Sequence, residues 1–167
     1  VAKEKGATVI VLDAVNARLE QAKKFGADYT VNITDFTTTE KLAEHITALT
    51  GANGANVCME LTGNPDAFSQ AIHLVRPGGR FVSIGNITPG KYTQFDPGLL
   101  TRKSIQIISL VRYNPWYLHK ALQFLAANNT KYPFDEMLDA EFSFTDIETA
   151  LDLSAKRKVT RASIKMM

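Results

Sequence analysis

The sequence predicts an α/β domain built around a mostly parallel sheet. Three observations predict it. Short apolar, β-branched runs alternate with amphipathic stretches of about ten residues. The first apolar run is continuous, which suits a strand covered on both faces. Capping and stop residues stand between the runs at helix-terminus spacing.

Val1 to Gly6 reads as the last turn of a helix, with Lys3 and Lys5 near its end and Gly6 as the stop. Thr8 to Leu12 is the first strand, and Asp13 ends it. Asn16 is the expected N-cap of a helix running to Phe25, stopped by Gly26, with Leu19, Ala22 and Phe25 inward. Tyr29 to Ile33 reads as a short strand. Thr37 and Glu40 have capping-box spacing, and Leu42, Ile46 and Leu49 give the helical stripe that follows, closed by Gly51. Asn56 to Leu61 is the next strand. Asn64 caps a helix with Pro65 at its first position, facing Phe68, Ile72 and Val75 inward. Pro77-Gly78-Gly79 breaks the chain before the strand Arg80 to Ile84.

Gly85 to Leu100 reads as a long connection containing Gly and Pro. A strand from Ser104 to Val111 follows, then a helix from Tyr117 to Ala127 with Leu118, Leu122 and Leu125 at helical spacing. Ala140 to Phe144 is a short strand. Thr145 and Glu148 form another capping box for a helix to about Ala155. Arg161 to Met166 closes the order as a last strand.

The 167 residues allow one domain with a real core. The formal charge is +2, and the densest basic stretch is Lys156-Arg157-Lys158. That balance points to neither a nucleic-acid nor a membrane partner. No apolar stretch reaches the roughly 20 residues needed to span a bilayer. The single cysteine, Cys58, excludes an internal disulfide and a Cys-rich zinc site within the chain, and fits a reducing, cytoplasmic compartment. Cys58 lies mid-strand and reads as an inert buried thiol. Glu60, two residues on, either orients a loop or ends the strand. His45, His73 and His119 are scattered on expected helices without metal-ligand spacing.

Asp13 carries the most chemical information. An acid at the end of such a strand can accept hydrogen bonds from adenosine ribose hydroxyls and would repel a 2′-phosphate, favouring NAD over NADP. It equally suits a plain turn cap. Its expected partner is a Gly-x-Gly-x-x-Gly loop about 20 residues upstream, cradling a pyrophosphate at a helix N-terminus. No such motif occurs in the sequence. Gly51-Ala-Asn-Gly54 and Gly78-Gly79 lack its spacing.

Taken together, several segments resemble one family. Gly6-Ala-Thr-Val-Ile-Val-Leu-Asp13 and Arg18 to Asp28 look like the second strand and following helix of medium-chain dehydrogenases of the zinc-containing alcohol dehydrogenase type. Glu60-Leu-Thr-Gly63, Arg76 to Gly85, Arg102 to Tyr113 and Phe142 to Leu151 resemble later segments in the family's order. The resemblance implies a Rossmann-like, doubly wound, mostly parallel sheet that lacks the first strand and the glycine-rich loop. It places a truncated dinucleotide-binding domain at 1–135 and, at 136–167, a segment returning to an absent catalytic domain. It implies NAD as cofactor, and zinc held only in that other domain.

By the same resemblance, Asp13 and Arg18 would border the adenosine. Thr62 and Gly63 would lie along the dinucleotide cleft. Gly85, Asn86 and Ile87 would approach the nicotinamide, and Leu110 and Val111 would flank it. Arg112 and Tyr113 would face the substrate or a subunit interface. No catalytic residue or metal ligand is assigned within the chain.

The implied activity is hydride transfer between nicotinamide and an alcohol, polyol or carbonyl, with the isolated chain expected to be inactive and to bind NAD weakly or not at all. The alternatives are a non-catalytic binding or assembly module, a zinc-free quinone or enoyl reductase of the same family, and an S-adenosylmethionine methyltransferase. The Ala140 to Met167 tail argues against the last. Loss of a central first strand would leave open sheet edges, so self-association into a homo-oligomer is expected. A reading frame extending roughly 180 residues upstream, one further domain plus a strand, would favour the enzyme, and one beginning at or just before Val1 the non-catalytic module.

Overall fold

A computed structural model describes residues 1–85, 89–156 and 158–166. The chain divides into two compact units. Unit 1 comprises Val1–Asn32 with Asn114–Met167, and unit 2 comprises Ile33–Tyr113.

In unit 1, a short 3-10 turn over Lys3–Lys5 ends at Gly6, whose φ of 80° is left-handed. Strand β1 (Ile10–Asp13) pairs in parallel with β2 (Tyr29–Asn32), and Asp13 stands opposite Asn32. Helix α1 (Asn16–Lys24) connects them. The expected cap shifts by one residue: Val15 is the N-cap, and its N–H donates to the Asp13 carboxylate at 2.9 Å. Asn16 is instead engaged by the Asn32 side-chain amide at 2.6 Å. The strand expected to be covered on both faces is only half-buried along its length. β2 is its one hydrogen-bonded neighbour among the described residues, so its other edge stays open.

The later part of unit 1 carries α5 (Pro115–Asn128), β6 (Ala140–Ser143), α6 (Ile147–Ala155) and β7 (Ala162–Lys165), with β6 and β7 parallel. An aromatic cluster packs this unit: Phe25 stacks on Tyr132, and Phe134 meets Phe25, Phe124 and Tyr132. The capping box at Thr145 and Glu148 does not form. A 3-10 turn over Phe144–Asp146 precedes α6; Asp146 takes the cap position without bonding a helix amide, its Oδ2 instead accepting from Ser143 Oγ, which also engages Thr145 Oγ1. The stripe of Leu118, Leu122 and Leu125, at the expected helical spacing on α5, is exposed.

Unit 2 is a three-stranded parallel sheet in the order β3 (Ala55–Glu60), β4 (Val75–Ser83), β5 (Gln106–Ser109). Helix α3 (Pro65–Leu74) joins the first two strands and α4 (Pro97–Lys103) the last two. Asn64 caps α3 with Pro65 at its first position, as its sequence predicts, accepting from Asp66 N at 3.0 Å. The helix α4 begins inside the stretch read as a connection and runs three residues past its end. Asp96 caps it, accepting from Gly98 N at 2.7 Å, with Pro97 at N1. Helix α2 (Thr39–Leu49) is capped by Thr38, one residue after the expected Thr37, with Leu42 and Ile46 buried.

β4 begins earlier than expected. Val75 pairs with Ala55 before the Pro-Gly-Gly turn, and the register then slips so that Val57 meets Arg80. The expected strand over Ser104 to Val111 is shorter, and its four residues are all exposed.

The core of unit 2 is Ala71, Ile72, Val75 and Phe81, with Cys58, Phe68, Leu99, Leu100 and Ile105 packed around them. Phe81 is 0% exposed and meets Phe68 edge-on at 4.8 Å. Lys103 closes the C-terminal end of α3: its Nζ donates to the carbonyls of His73 at 2.8 Å and Val75 at 3.0 Å. Burial lowers its pKa from the ordinary lysine value. Phe81→Ala removes the largest wholly buried side chain and is expected to cost about 3–5 kcal/mol, read as a lowered urea midpoint at unchanged slope.

Candidate functional site

In unit 2, parallel register aligns the strand ends. Glu60 pairs with Ser83, and Ser83 with Ser109, so one row marks the carboxyl end of the sheet. The residues just beyond this row form a rim. In open α/β sheets, ligands bind at such carboxyl ends.

Gly63 has φ of 71°, a left-handed turn that glycine makes without steric cost. Gly85 is a matter of space: a Cβ there would collide with the Glu60 carboxylate and with Gly63 N. Leu110 N donates to Ser83 O at 3.0 Å, continuing the ladder past β5. Leu110, Val111 and Tyr113 are exposed, Val111 at 87%. Arg112 sits at φ of 59°, an uncommon backbone for a side chain of this size. The rim thus presents an apolar run beside two glycines.

Glu60 lies under this rim at 3% exposure. Its Oε1 accepts from Thr62 N at 2.6 Å, Thr62 Oγ1 at 2.7 Å and Gly63 N at 2.8 Å. The sequence singled it out only as a loop orienter or strand end. Its neighbour by alternation, Cys58, has its thiol pKa pushed up to about 11, first by burial and then by the Glu60 charge.

In unit 1, Asp13 stands at the carboxyl tip of β1, with its side chain 24% exposed. Oδ1 accepts from Val15 N, and Oδ2 lies 3.7 Å from Arg18 Nη1. The carboxylate therefore keeps lone pairs that solvent, or a ligand hydroxyl, can reach. Asp13 and Arg18 belong to unit 1, whereas Thr62, Gly63, Gly85, Leu110, Val111 and Arg112 belong to unit 2. Asn86 and Ile87, also expected near a cofactor, lie outside the described residues.

The histidines find aromatic neighbours: His45 lies against Phe36 at 5.1 Å and His119 stacks on Trp116 at 4.9 Å. Among the described residues, no three His, Cys, Asp or Glu side chains come together as a metal-ligand group. Among the same residues, no helix is long and apolar enough to cross a membrane.

Parallel strands alternating with helices define a Rossmann-like α/β fold, and solved dehydrogenase structures share it. An alcohol dehydrogenase from Thermotoga maritima superposes with a TM-score of 0.85 over 95% of this chain and 43% of its own, at 23% identity. Benzyl alcohol dehydrogenase from Acinetobacter calcoaceticus does so with a TM-score of 0.83 over 99% of this chain and 45% of its own, at 28% identity.

The chain belongs to the zinc-binding dehydrogenase family, whose sequence profile matches residues 1–127. It is 36% identical over 117 residues to L-threonine 3-dehydrogenase of Pyrococcus horikoshii, covering 70% of this chain and 32% of that protein. It is 33% identical over 146 residues to sorbitol dehydrogenase of Bacillus subtilis, covering 86% of this chain and 40% of that protein. The chain thus spans well under half the length of these relatives.

The raised Cys58 pKa has a definite sign for stability. Below the ordinary thiol value near 9, folded and unfolded chains both carry the neutral thiol, and the contribution is complete. Above it the unfolded chain ionises first, so stability falls as pH rises from about 9 through about 11. At pH 8, Ellman's reagent is expected to label Cys58 far more slowly in the folded chain than in urea. Equal rates would contradict the buried, neutral thiol.

Proposed function

We propose that the chain is the cofactor-binding part of an NAD-dependent dehydrogenase acting on an alcohol, polyol or carbonyl compound. The observation that carries this is Asp13: a reachable carboxylate at the carboxyl tip of a parallel strand, in a chain of the zinc-binding dehydrogenase family. The relatives bear the names of threonine, sorbitol and alcohol dehydrogenases, which motivates the substrate class.

In this reading, Asp13 accepts hydrogen bonds from the adenosine ribose hydroxyls, and Arg18 borders the same nucleoside. The carboxylate disfavours a ribose 2′-phosphate by like-charge repulsion. Thr62 and Gly63 line the cofactor's path. Gly85 approaches the nicotinamide, and Leu110 and Val111 supply its apolar flank. Arg112 and Tyr113 face the substrate or a neighbouring subunit. The bound cofactor supplies the hydride chemistry, while the protein binds, orients and shields it. Taken by itself, Asp13 of unit 1 suits the ribose end of such a cofactor, and Leu110 and Val111 of unit 2 suit its ring end. The sequence has no Gly-x-Gly-x-x-Gly loop for the pyrophosphate, so the isolated chain binds weakly and is inactive by itself. The family resemblance places zinc in a part of the enzyme outside this chain, and the roles assigned here are those of the chain's own residues.

The open edges of β1 and β3, together with the exposed Val57 and Met59 on β3, favour association into a homo-oligomer.

Titration followed by amide NMR shifts is expected to show NADH binding, weaker than micromolar, with preference over NADPH. Asp13→Asn should shrink that preference by about tenfold through lost charge repulsion. Sub-micromolar affinity, or an unchanged preference in the variant, contradicts the assignment. Light scattering is expected to give a mass above that of one chain; a monodisperse monomer counts against association.

A further inference from the structure

We propose that Glu60 is the positioning residue of the unit 2 rim, holding the loops after β3 and β4 in the one arrangement that accepts the nicotinamide half of the cofactor rather than its phosphates. The naming of the cofactor rests on the function proposed above. The role of the carboxylate rests on the geometry alone.

Burying a charge is costly unless it is hydrogen-bonded, and a strand can end on a residue that buries none. Glu60 is nonetheless almost wholly buried, and no lysine or arginine forms an ion pair with it among the described residues. What offsets the burial is local. Three donors converge on Oε1: the amides of Thr62 and Gly63, and the Thr62 hydroxyl. That hydroxyl in turn accepts from Asn64 N at 3.0 Å, so the chain of bonds runs into the cap of α3.

The same residue governs the second loop. The Glu60 backbone carbonyl accepts from Ile84 N at 3.0 Å and Gly85 N at 2.9 Å. Oε2 is buried without a hydrogen-bond partner among the described residues, and it packs where a Cβ on residue 85 would have to go. One residue therefore fixes both loops, by side chain and by backbone, and sets their separation to what glycine allows.

This arrangement also selects what the rim can take. A phosphate site needs free N–H groups pointing outward. Here the amides of Thr62, Gly63, Ile84 and Gly85 all donate inward to Glu60. A carboxylate beneath the rim repels an anion further. An uncharged ring against Leu110 and Val111 meets neither obstacle.

The test uses the full chain, labelled with ¹⁵N, and the variants Glu60→Ala and Glu60→Gln. Amide exchange is read at Thr62, Gly63 and Gly85, and NADH, adenosine monophosphate and inorganic pyrophosphate are each titrated. In Glu60→Ala, exchange at these amides is expected to quicken by about tenfold or more, with NADH about tenfold weaker and adenosine monophosphate within about twofold of wild type. Glu60→Gln keeps the shape and one acceptor oxygen and should recover most of the protection, with NADH affinity between the two. Pyrophosphate should leave the three amide shifts unmoved.

If Glu60→Ala does not fold, Glu60→Gln and Thr62→Val decide, each weakening NADH while sparing adenosine monophosphate. Wild-type exchange in Glu60→Ala or in Thr62→Val, equal loss of both nucleotides, or pyrophosphate shifts at these amides would overturn the proposal. If NADH moves no rim amide in the wild-type chain, the cofactor reading fails, and the exchange data still decide the carboxylate's role.

Discussion

Parallel hydrogen-bond register is the constraint on which the unit 2 site depends. Because Glu60, Ser83 and Ser109 occupy one row, the three connections that leave the strands start at the same level. Each then turns within two or three residues: at Gly63 before α3, at Gly85 after β4, and at Arg112 after β5. A shift of one residue in any strand would swing every side chain to the opposite face. Phe81 would then leave the core, and Glu60 would no longer lie beneath Gly85. The buried pairing of Phe68 with Phe81 and the placement of the rim are two consequences of one register.

The sequence disclosed this framework unevenly, for physical reasons. Asn64-Pro65 was legible because a capping amide and a proline at N1 act within three residues and need no tertiary context. Asp96-Pro97 carries the same signal and marks α4, but Gly and Pro around it made the stretch read as a connection. Caps at Val15, Thr38 and Asp146 differ from the expected residues by one position, and of the three only the Thr38 side chain bonds a first-turn amide, that of Lys41. Asn16 is engaged by Asn32, on another strand, which no local pattern contains. The exposed face of α5 was hidden for a similar reason: helical spacing reports an apolar stripe, not what covers it. Asp13 was visible because it ends an apolar run. The convergence of three donors on Glu60 was not, since it depends on a turn that folds back on the strand that precedes it.

Two carboxylates end two strands and do opposite work. Asp13 spends one oxygen on Val15 N and leaves the other near Arg18 at a distance that binds only loosely. Such an acid remains an acceptor for something outside the chain. Glu60 turns its acceptor capacity inward to its own loops. The difference follows from burial. An acid at a solvent-reachable tip can exchange water for a ligand hydroxyl at small cost, whereas a sealed acid must be satisfied by the protein or not be charged at all.

That difference reaches Cys58. Alternation along β3 puts residues 58 and 60 on one face, so the thiol shares its surroundings with the buried Glu60 charge. Burial and that charge both oppose a second anion, and the thiol stays neutral through the ordinary pH range. A single anion on this face is tolerable because three donors surround it; a thiolate beside it would have no such set. The same carboxylate that ties down the rim thus keeps the strand beneath it chemically silent, leaving the exposed Leu110 and Val111, and not a nucleophile, as what the sheet end offers a ligand. Under the function proposed above, a site of that kind would hold and align a reactive group that arrives with its own chemistry.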